Sequence, residues 1–168
     1  MGEIMVKDPE ICIAGVFRID RDGVWYHEGA PVGRSDMVKL FASVLRRDEN
    51  GDHWLQTPME KVPVKVEDAP FIAVELATGG SGRERRLRLR TNIGEWLTVG
   101  NDHPLTVRRT KAGPRPYVAL ADGLEARLSR PVYYQLADLA EDGPGEEPGV
   151  WSAGCFFPLA PPGAEAGT

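Results

Sequence analysis

The residues best equipped for chemistry in this chain are few enough to take in turn. It holds three histidines, and the first stands in the run Trp25-Tyr26-His27-Glu28, between an Asp22-Gly23 turn and a stop at Gly29 and Pro31. On a strand His27 and Glu28 point to opposite faces, so they cannot act on one ligand as a pair, whereas Trp25 and His27 share a face. An indole beside an imidazole makes a wall for a planar ligand; the same pair also reads as the packed face of a half-buried hairpin strand. His53 follows a turn and precedes Trp54, the pattern of a surface histidine. The third histidine lies in Asn101-Asp102-His103-Pro104. Adjacent Asp102 and His103 diverge instead of meeting as a catalytic dyad requires. Pro104 holds His103 extended, so a turn is expected, with ligand contact by His103 left open and a general-base role beside it.

The one concentrated charge is RERRLRLR at 83–90. On a strand Arg86, Arg88 and Arg90 share a face opposite Leu87 and Leu89, at intervals of about 7 Å. Such a row is either a solvated face with acidic neighbours or an anion site, because guanidinium groups bind phosphate in bidentate fashion. Arg130, Tyr133 and Tyr134 add a cation at the start of an expected helix and two aromatic hydroxyls, although core packing explains Tyr133 as well. Metal-binding spacings such as HxH, HExxH or DxDxDG are absent, as are GxSxG, the P-loop and a GxGxxG opening a helix. Neither metal nor cofactor is therefore expected.

The elements that must position these residues follow from composition and period. The chain has 168 residues, 42% hydrophobic and 27% charged, with a formal net charge of −5 and a pI near 5.3. That is globular composition, and its summed field repels polyanions, which excludes a general nucleic-acid binder. Cys12 and Cys155 stand far apart and form no CxxC pair, no apolar run approaches the length of a membrane span, and the acidic N-terminus is unlike a signal peptide. A cytoplasmic protein without membrane insertion is expected.

A first strand is expected over 13–19, paired through Asp22-Gly23 with the aromatic run. A helix from Ser35 carries Met37, Leu40, Phe41, Val44 and Leu45 on one stripe, with Arg46 and Arg47 in its last turn and Asn50-Gly51 closing it. Strands are expected over 53–57, 62–66, 71–76, 86–91, 95–99, 105–109, 117–121 and 124–128, with GGSGRE at 79–84 the most linker-like segment. A second helix begins at Arg130-Pro131, a last strand covers 150–157, and the tail from Pro158 is too rich in Pro, Gly and Ala to pack. DGVWYHEGAP at 22–31 and DGLEARLSRP at 122–131 then share landmarks about 100 residues apart: a DG turn, a proline before a helix, and a later strand-opening Trp54 or Trp151. Either a duplicated strand, helix, strand unit or chance placement of common turn residues explains them.

Taken together, DGVWYHEGAPVGR, LQTPMEKV, VEDAPF, LRTNIGEW, NDHPL and RPVYYQL resemble, over nearly the whole chain, the bacterial domain-of-unknown-function family 1285. The resemblance implies an α+β fold of two small duplicated domains, mostly antiparallel strands with one helix each, here 1–80 and 81–168. It further implies a C-terminal domain superficially like a pleckstrin-homology fold, a role in signal transduction with a protein partner, and an inter-domain cleft that holds a nucleotide-like ligand. It carries no catalytic residue. It carries positions only: Trp25, Tyr26, His27 and Glu28 in WYHEG, Thr91 and Asn92 in RTN, Asp102 and His103 in DHPL, and Arg130 to Tyr134 in RPVYY.

The leading expectation is a signalling or ligand-binding module for a small nucleotide-like or anionic molecule, with Trp25, Tyr26, His27, Glu28, Arg88, Thr91, Asn92, Asp102, His103, Arg130 and Tyr133 as contacts. One alternative is a hydrolase or transferase acting on a nucleotide-like substrate, with His27 or His103 as general base and the arginine row holding phosphate. Another is a protein-interaction adaptor.

Overall fold

Five hairpins of this chain close on one local device, a glycine three or four residues beyond the end of the incoming strand. Gly23, Gly51, Gly94, Gly113 and Gly123 all take the left-handed conformation, with φ between 77° and 106°, which a side-chain-bearing residue adopts only at a cost. Asp20 and Asp48 support their turns in the same way. The Oδ1 of each accepts the amides two and four residues on, and the Oδ2 accepts the aromatic six residues on, the Tyr26 hydroxyl in one case and the Trp54 indole in the other.

The computed structural model describes residues 15–160; Cys12, the expected start of the first strand at Ile13 and the tail from Pro161 lie outside them. In chain order, β1 (Phe17–Ile19), β2 (Trp25–His27) and β3 (Ala30–Pro31) precede α1 (Ser35–Ser43), and β4 (Leu45–Arg47), β5 (His53–Gln56) and β6 (Lys61–Val66) follow it. Then come β7 (Phe71–Gly79), β8 (Arg86–Thr91), β9 (Trp96–Thr98), β10 (Leu105–Thr110), β11 (Gly113–Ala119) and β12 (Glu125–Leu128). Last are α2 (Arg130–Asp138), β13 (Glu141–Asp142), β14 (Pro148–Ser152) and β15 (Cys155–Pro158).

Two six-stranded sheets run β3-β2-β1-β6-β5-β4 and β9-β8-β7-β12-β11-β10. Numbered within its own half, each reads 3-2-1-6-5-4. In each the first and sixth strands pair in parallel and the other pairs are antiparallel. The fold is thus two mostly antiparallel, sheet-rich domains with few helices. The landmarks of the sequence repeat, by contrast, take different places in the two sheets, one DG turn joining strands one and two and the other strands five and six. Asp22-Gly23 turns β1 into β2 and Asp122-Gly123 turns β11 into β12; each hairpin leads to a helix and then a three-stranded meander, β4–β6 or β13–β15. The first meander joins its sheet through β6 and β1, while the second forms a sheet of its own.

Several boundaries differ from the expectations. α1 stops at Ser43 and Leu45–Arg47 is a strand, because fully buried Leu45 pairs with Leu55 and Arg46 turns back to donate to the Ser43 and Leu45 carbonyls. Asn50-Gly51 consequently turns a hairpin instead of ending a helix. The last strand divides into β14 and β15 at Ala153-Gly154, both at positive φ. GGSGRE is the turn between β7 and β8 and not a linker, and β7 pairs in the second sheet although a division at residue 80 assigns it to the first domain.

The connection between the halves is residues 67–70, from the central strand β6 to the central strand β7. Glu67 is tied to the first domain by Arg18 at 2.9 Å and by the amide of Arg21. Asp68 is tied to the second: the Tyr117 hydroxyl donates to it at 2.6 Å, and Arg127 Nε and Arg115 Nη1 lie at 2.9 and 3.4 Å. Removing this carboxylate leaves two half-buried guanidinium groups unpaired. Asp68→Ala is expected to cost about 1–3 kcal/mol, read as a shift of the urea midpoint; an unchanged midpoint contradicts the role given to the linker.

A second polar contact seals the domains where β4 and β5 meet the turn before β12. Arg47 Nη1 donates to the Gly123 carbonyl at 3.4 Å and lies 3.9 Å from Glu125, whose carboxylate Arg108 clamps with two 2.8 Å bonds. In this seam Arg47 Nε and His53 Nε2, on paired residues of β4 and β5, are buried without a hydrogen-bond partner. Burial first, and then the Arg47 charge, push His53 below its ordinary 6.5, against weaker upward pulls from Glu125, Asp52 and Asp48. The unfolded chain therefore takes a proton that the folded chain refuses, so the stability tied to His53 is complete above pH 6.5 and is lost as pH falls below it. Melting temperature is expected to fall from pH 7 towards pH 5, and His53→Gln to flatten that segment; equal slopes in both proteins would contradict this reading.

Candidate functional site

α1 is held by aromatic packing. Phe41, on its buried side, meets the Phe17 ring edge-on at 5.1 Å and stacks on Trp25 at 6.1 Å. On its other flank the helix faces the loop from β8 to β9, residues 91–96, and a cleft opens towards each of its ends. Lys39 and Ile93 line both clefts, so the two are halves of one groove between the domains.

The half at the C-terminal end of α1 encloses about 400 Å³, within the range of small-ligand sites. Its walls are Ala42, Phe71, Ile93, Trp96, Leu97, Leu120 and Leu124, with polar groups from Lys39, Ser43, Arg46, Thr91, Glu95, His103 and Asp122. Thr91 is buried, and its Oγ1 accepts the Glu95 amide at 3.3 Å. His103 is fixed by reciprocal 3.1 Å backbone bonds with Gly100, and its Nδ1 lies 2.9 Å from the Ala119 carbonyl. A carbonyl can only accept, so Nδ1 carries a proton, and it is the neutral ring alone that has a lone pair on Nε2. Arg46 is half-engaged by the helix-end carbonyls and by Asp122 at 3.9 Å.

The other half, at the N-terminal end of α1, encloses about 490 Å³ and is lined by Trp25, Val32, Gly33, Ser35, Val38, Lys39, Arg90 and Asn92, with Gly23, Val24, Ile93 and Gly94. Asn92 stitches it together: its Oδ1 accepts the Ile72 amide at 3.1 Å while its Nδ2 donates to the Gly23 carbonyl of the first domain at 3.4 Å. Arg90 is paired with Glu75 at 2.7 Å.

Of the expected contacts, Trp25, Thr91, Asn92 and His103 line the groove, and the rest do not. Tyr26 lies on the opposite face of β2, its ring under the Arg18 guanidinium at 4.0 Å and its hydroxyl donating to Asp20. For Asp20, burial works upward, but the amides of Val24 and Asp22 and the Tyr26 hydroxyl hold its carboxyl below the usual range; the same bond raises Tyr26. His27 stacks on Phe17, centroids 4.4 Å apart, and Glu28 accepts the Val16 amide. Arg88 lies over the Trp96 ring at 4.8 Å on the outer sheet face, and Asp102 is exposed at its turn. Arg130 is exposed, and the Tyr133 hydroxyl donates to the Leu159 carbonyl at 3.2 Å. His27 therefore does not line the groove that His103 lines.

Sequence reasoning missed Lys39, Arg46, Ile93, Glu95, Trp96 and Asp122. Ile93, Glu95 and Trp96 stand beside Thr91 and Asn92 in the LRTNIGEW motif, and Arg90 is the end of the arginine row that enters the groove. Lys39 carries one signal, a cation between Val38 and Leu40 on a helix with no other basic residue. Among the described residues no three of His, Cys, Asp or Glu converge as a metal-ligand set, and no helix is long and apolar enough to cross a membrane.

Comparison with known proteins agrees with this architecture. The family model described as "Domain of unknown function (DUF1285), N-terminal domain" matches residues 4–69, and that described as "Protein of unknown function (DUF1285), C-terminal domain" matches residues 70–159. The two meet inside the Asp68 linker. The crystal structure of a DUF1285 family protein from Silicibacter pomeroyi DSS-3 is similar at 40% identity and a TM-score of 0.82, covering 90% of this chain and 84% of that one. One from Shewanella baltica OS155 is similar at 30% identity and a TM-score of 0.59, covering 74% and 91%. No curated protein matches the chain.

Proposed function

We propose, from the premise that the chain belongs to the DUF1285 family, that it is a binding module for a small nucleotide-like ligand, and that its site is the groove around α1. The observation that carries this reading is Lys39. It stands where the two halves of the groove meet, and among the described residues no carboxylate pairs with it, whereas Arg46 and Arg90 beside it are each engaged. An unpaired cation in a groove lined by Trp25, Phe71 and Trp96, with an imidazole and a buried threonine in one half, is an arrangement suited to a flat molecule bearing negative charge. Residues of both domains line the groove, so an occupant would couple the domains, and that coupling is the form a signal would take in a cytoplasmic regulator. The hydrolytic alternative has less support, because His103 is oriented by a backbone carbonyl and not by a carboxylate.

A thermal-shift series with mononucleotides, cyclic nucleotides and dinucleotide cofactors tests the reading. A ligand at 100 times its Kd adds about 2.7 kcal/mol, an upward shift that Lys39→Ala should abolish or sharply reduce. Arg130→Ala and Tyr133→Phe, both outside the groove, should leave it intact. A shift that survives Lys39→Ala, or no shift with any member of the series, would count against the groove as a nucleotide site.

A further inference from the structure

The two halves of the groove differ in charge, and the difference orients an occupant. We infer that the half at the start of α1 is a subsite for the phosphoryl group of a small ligand, an inference that rests on the groove being the binding site. Its lining includes Lys39 and Arg90 and no carboxylate, whereas Glu95, Asp122 and the carbonyl end of α1 border the other half. The helix N-terminus is also uncapped. Arg34, in the cap position, is extended and makes no side-chain cap bond, and its carbonyl accepts the amides of Met37 and Val38. The amide of Ser35 thus remains as a donor at the positive end of the helix dipole, while that of Asp36 turns to its own carboxylate. Asp36 does not line the groove; its carboxylate accepts Arg34 at 2.7 Å and the Met37 amide.

A second observation is independent of the helix. Trp25 is 2% exposed and lines this half of the groove, and its indole N–H is buried without a hydrogen-bond partner. An indole nitrogen only donates, so the missing partner is an acceptor atom, and a buried donor left without one is uncommon in a folded protein. Phosphoryl oxygens accept from several donors at once. Lys39, Arg90 beside its Glu75 partner, the Ser35 amide and the Trp25 indole are the donors this half of the groove offers, and the ring portion of the ligand then extends past Ile93 towards His103.

The test is a titration of the full chain with inorganic phosphate, followed by two-dimensional ¹H–¹⁵N NMR. The Trp25 indole resonance and the Ser35, Asp36 and Lys39 amides should move together along one saturable curve, and Lys39→Ala should weaken it at least about tenfold. Adenosine and adenosine monophosphate separate the levels of the argument. Binding of the monophosphate at least about tenfold tighter than adenosine, with the shifts at 35–39 seen only for the monophosphate, supports the subsite. Equal binding of both keeps the groove and overturns the subsite. Shifts that sodium chloride reproduces at matched ionic strength, or phosphate shifts confined to the outer arginines, overturn it as well. No response to any of the three probes at residues 35–39 and 91–97 overturns both the subsite and the groove.

Discussion

Everything in this molecule that bears on a site depends on the short link between its two central strands. β6 and β7 are each the middle of a six-stranded sheet, and residues 67–70 are all that separates them. So short a connection cannot let the sheets drift apart, and within it Ala69 is fully buried. Neighbouring acidic residues then divide the work, Glu67 facing the first domain and Asp68 the second. The inter-domain groove is what remains open once the sheets are held this close: its floor is Trp25 and Phe71, and its two banks are α1 and the loop after β8.

Duplication explains why the groove has one helix bank. In the first half α1 occupies the crossover between strands three and four of the sheet order; in the second, the same crossover from β9 to β10 is the short turn around Asp102 and His103, and the helix comes later, after β12. One domain therefore brings a helix to the seam and the other a hairpin loop and a fixed imidazole. The asymmetry is chemical as well as geometrical. A helix contributes a dipole whose two ends lie in different halves of the groove, while the loop contributes Asn92 at one end and Thr91, Glu95 and Trp96 at the other.

Much of this was legible in the residues. The arginine row was placed as the strand Arg86–Thr91 because alternating Leu87 and Leu89 demand one buried face, and both are fully buried. Pro131 marked the first turn of α2, and the DG landmarks marked two hairpins, though not corresponding ones. The end of α1 was not legible, since Val44 and Leu45 continue a helical apolar period and only their pairing partner Leu55, ten residues on, shows that Leu45 is a strand residue. Side-chain direction was the harder problem at the site. Trp25 and His27 do share a face, as alternation requires, but the exact register of the hairpin sets Phe17 opposite His27 and its ring takes up the imidazole, and the turn residues alone do not fix that register. Lys39 was passed over for the opposite reason: an exposed lysine on a helix is ordinary until another domain is packed beside it.

The central claim is that the groove along α1, and no other surface, receives the ligand. Amide hydrogen exchange of the full chain, with and without the nucleotide that gives the largest thermal shift, addresses it residue by residue. Slowed exchange concentrated in residues 35–43 and 91–97, on the two banks of the groove, is the predicted result. Slowing centred instead on the outer strands β10 and β11, or spread evenly over both sheets, would contradict it.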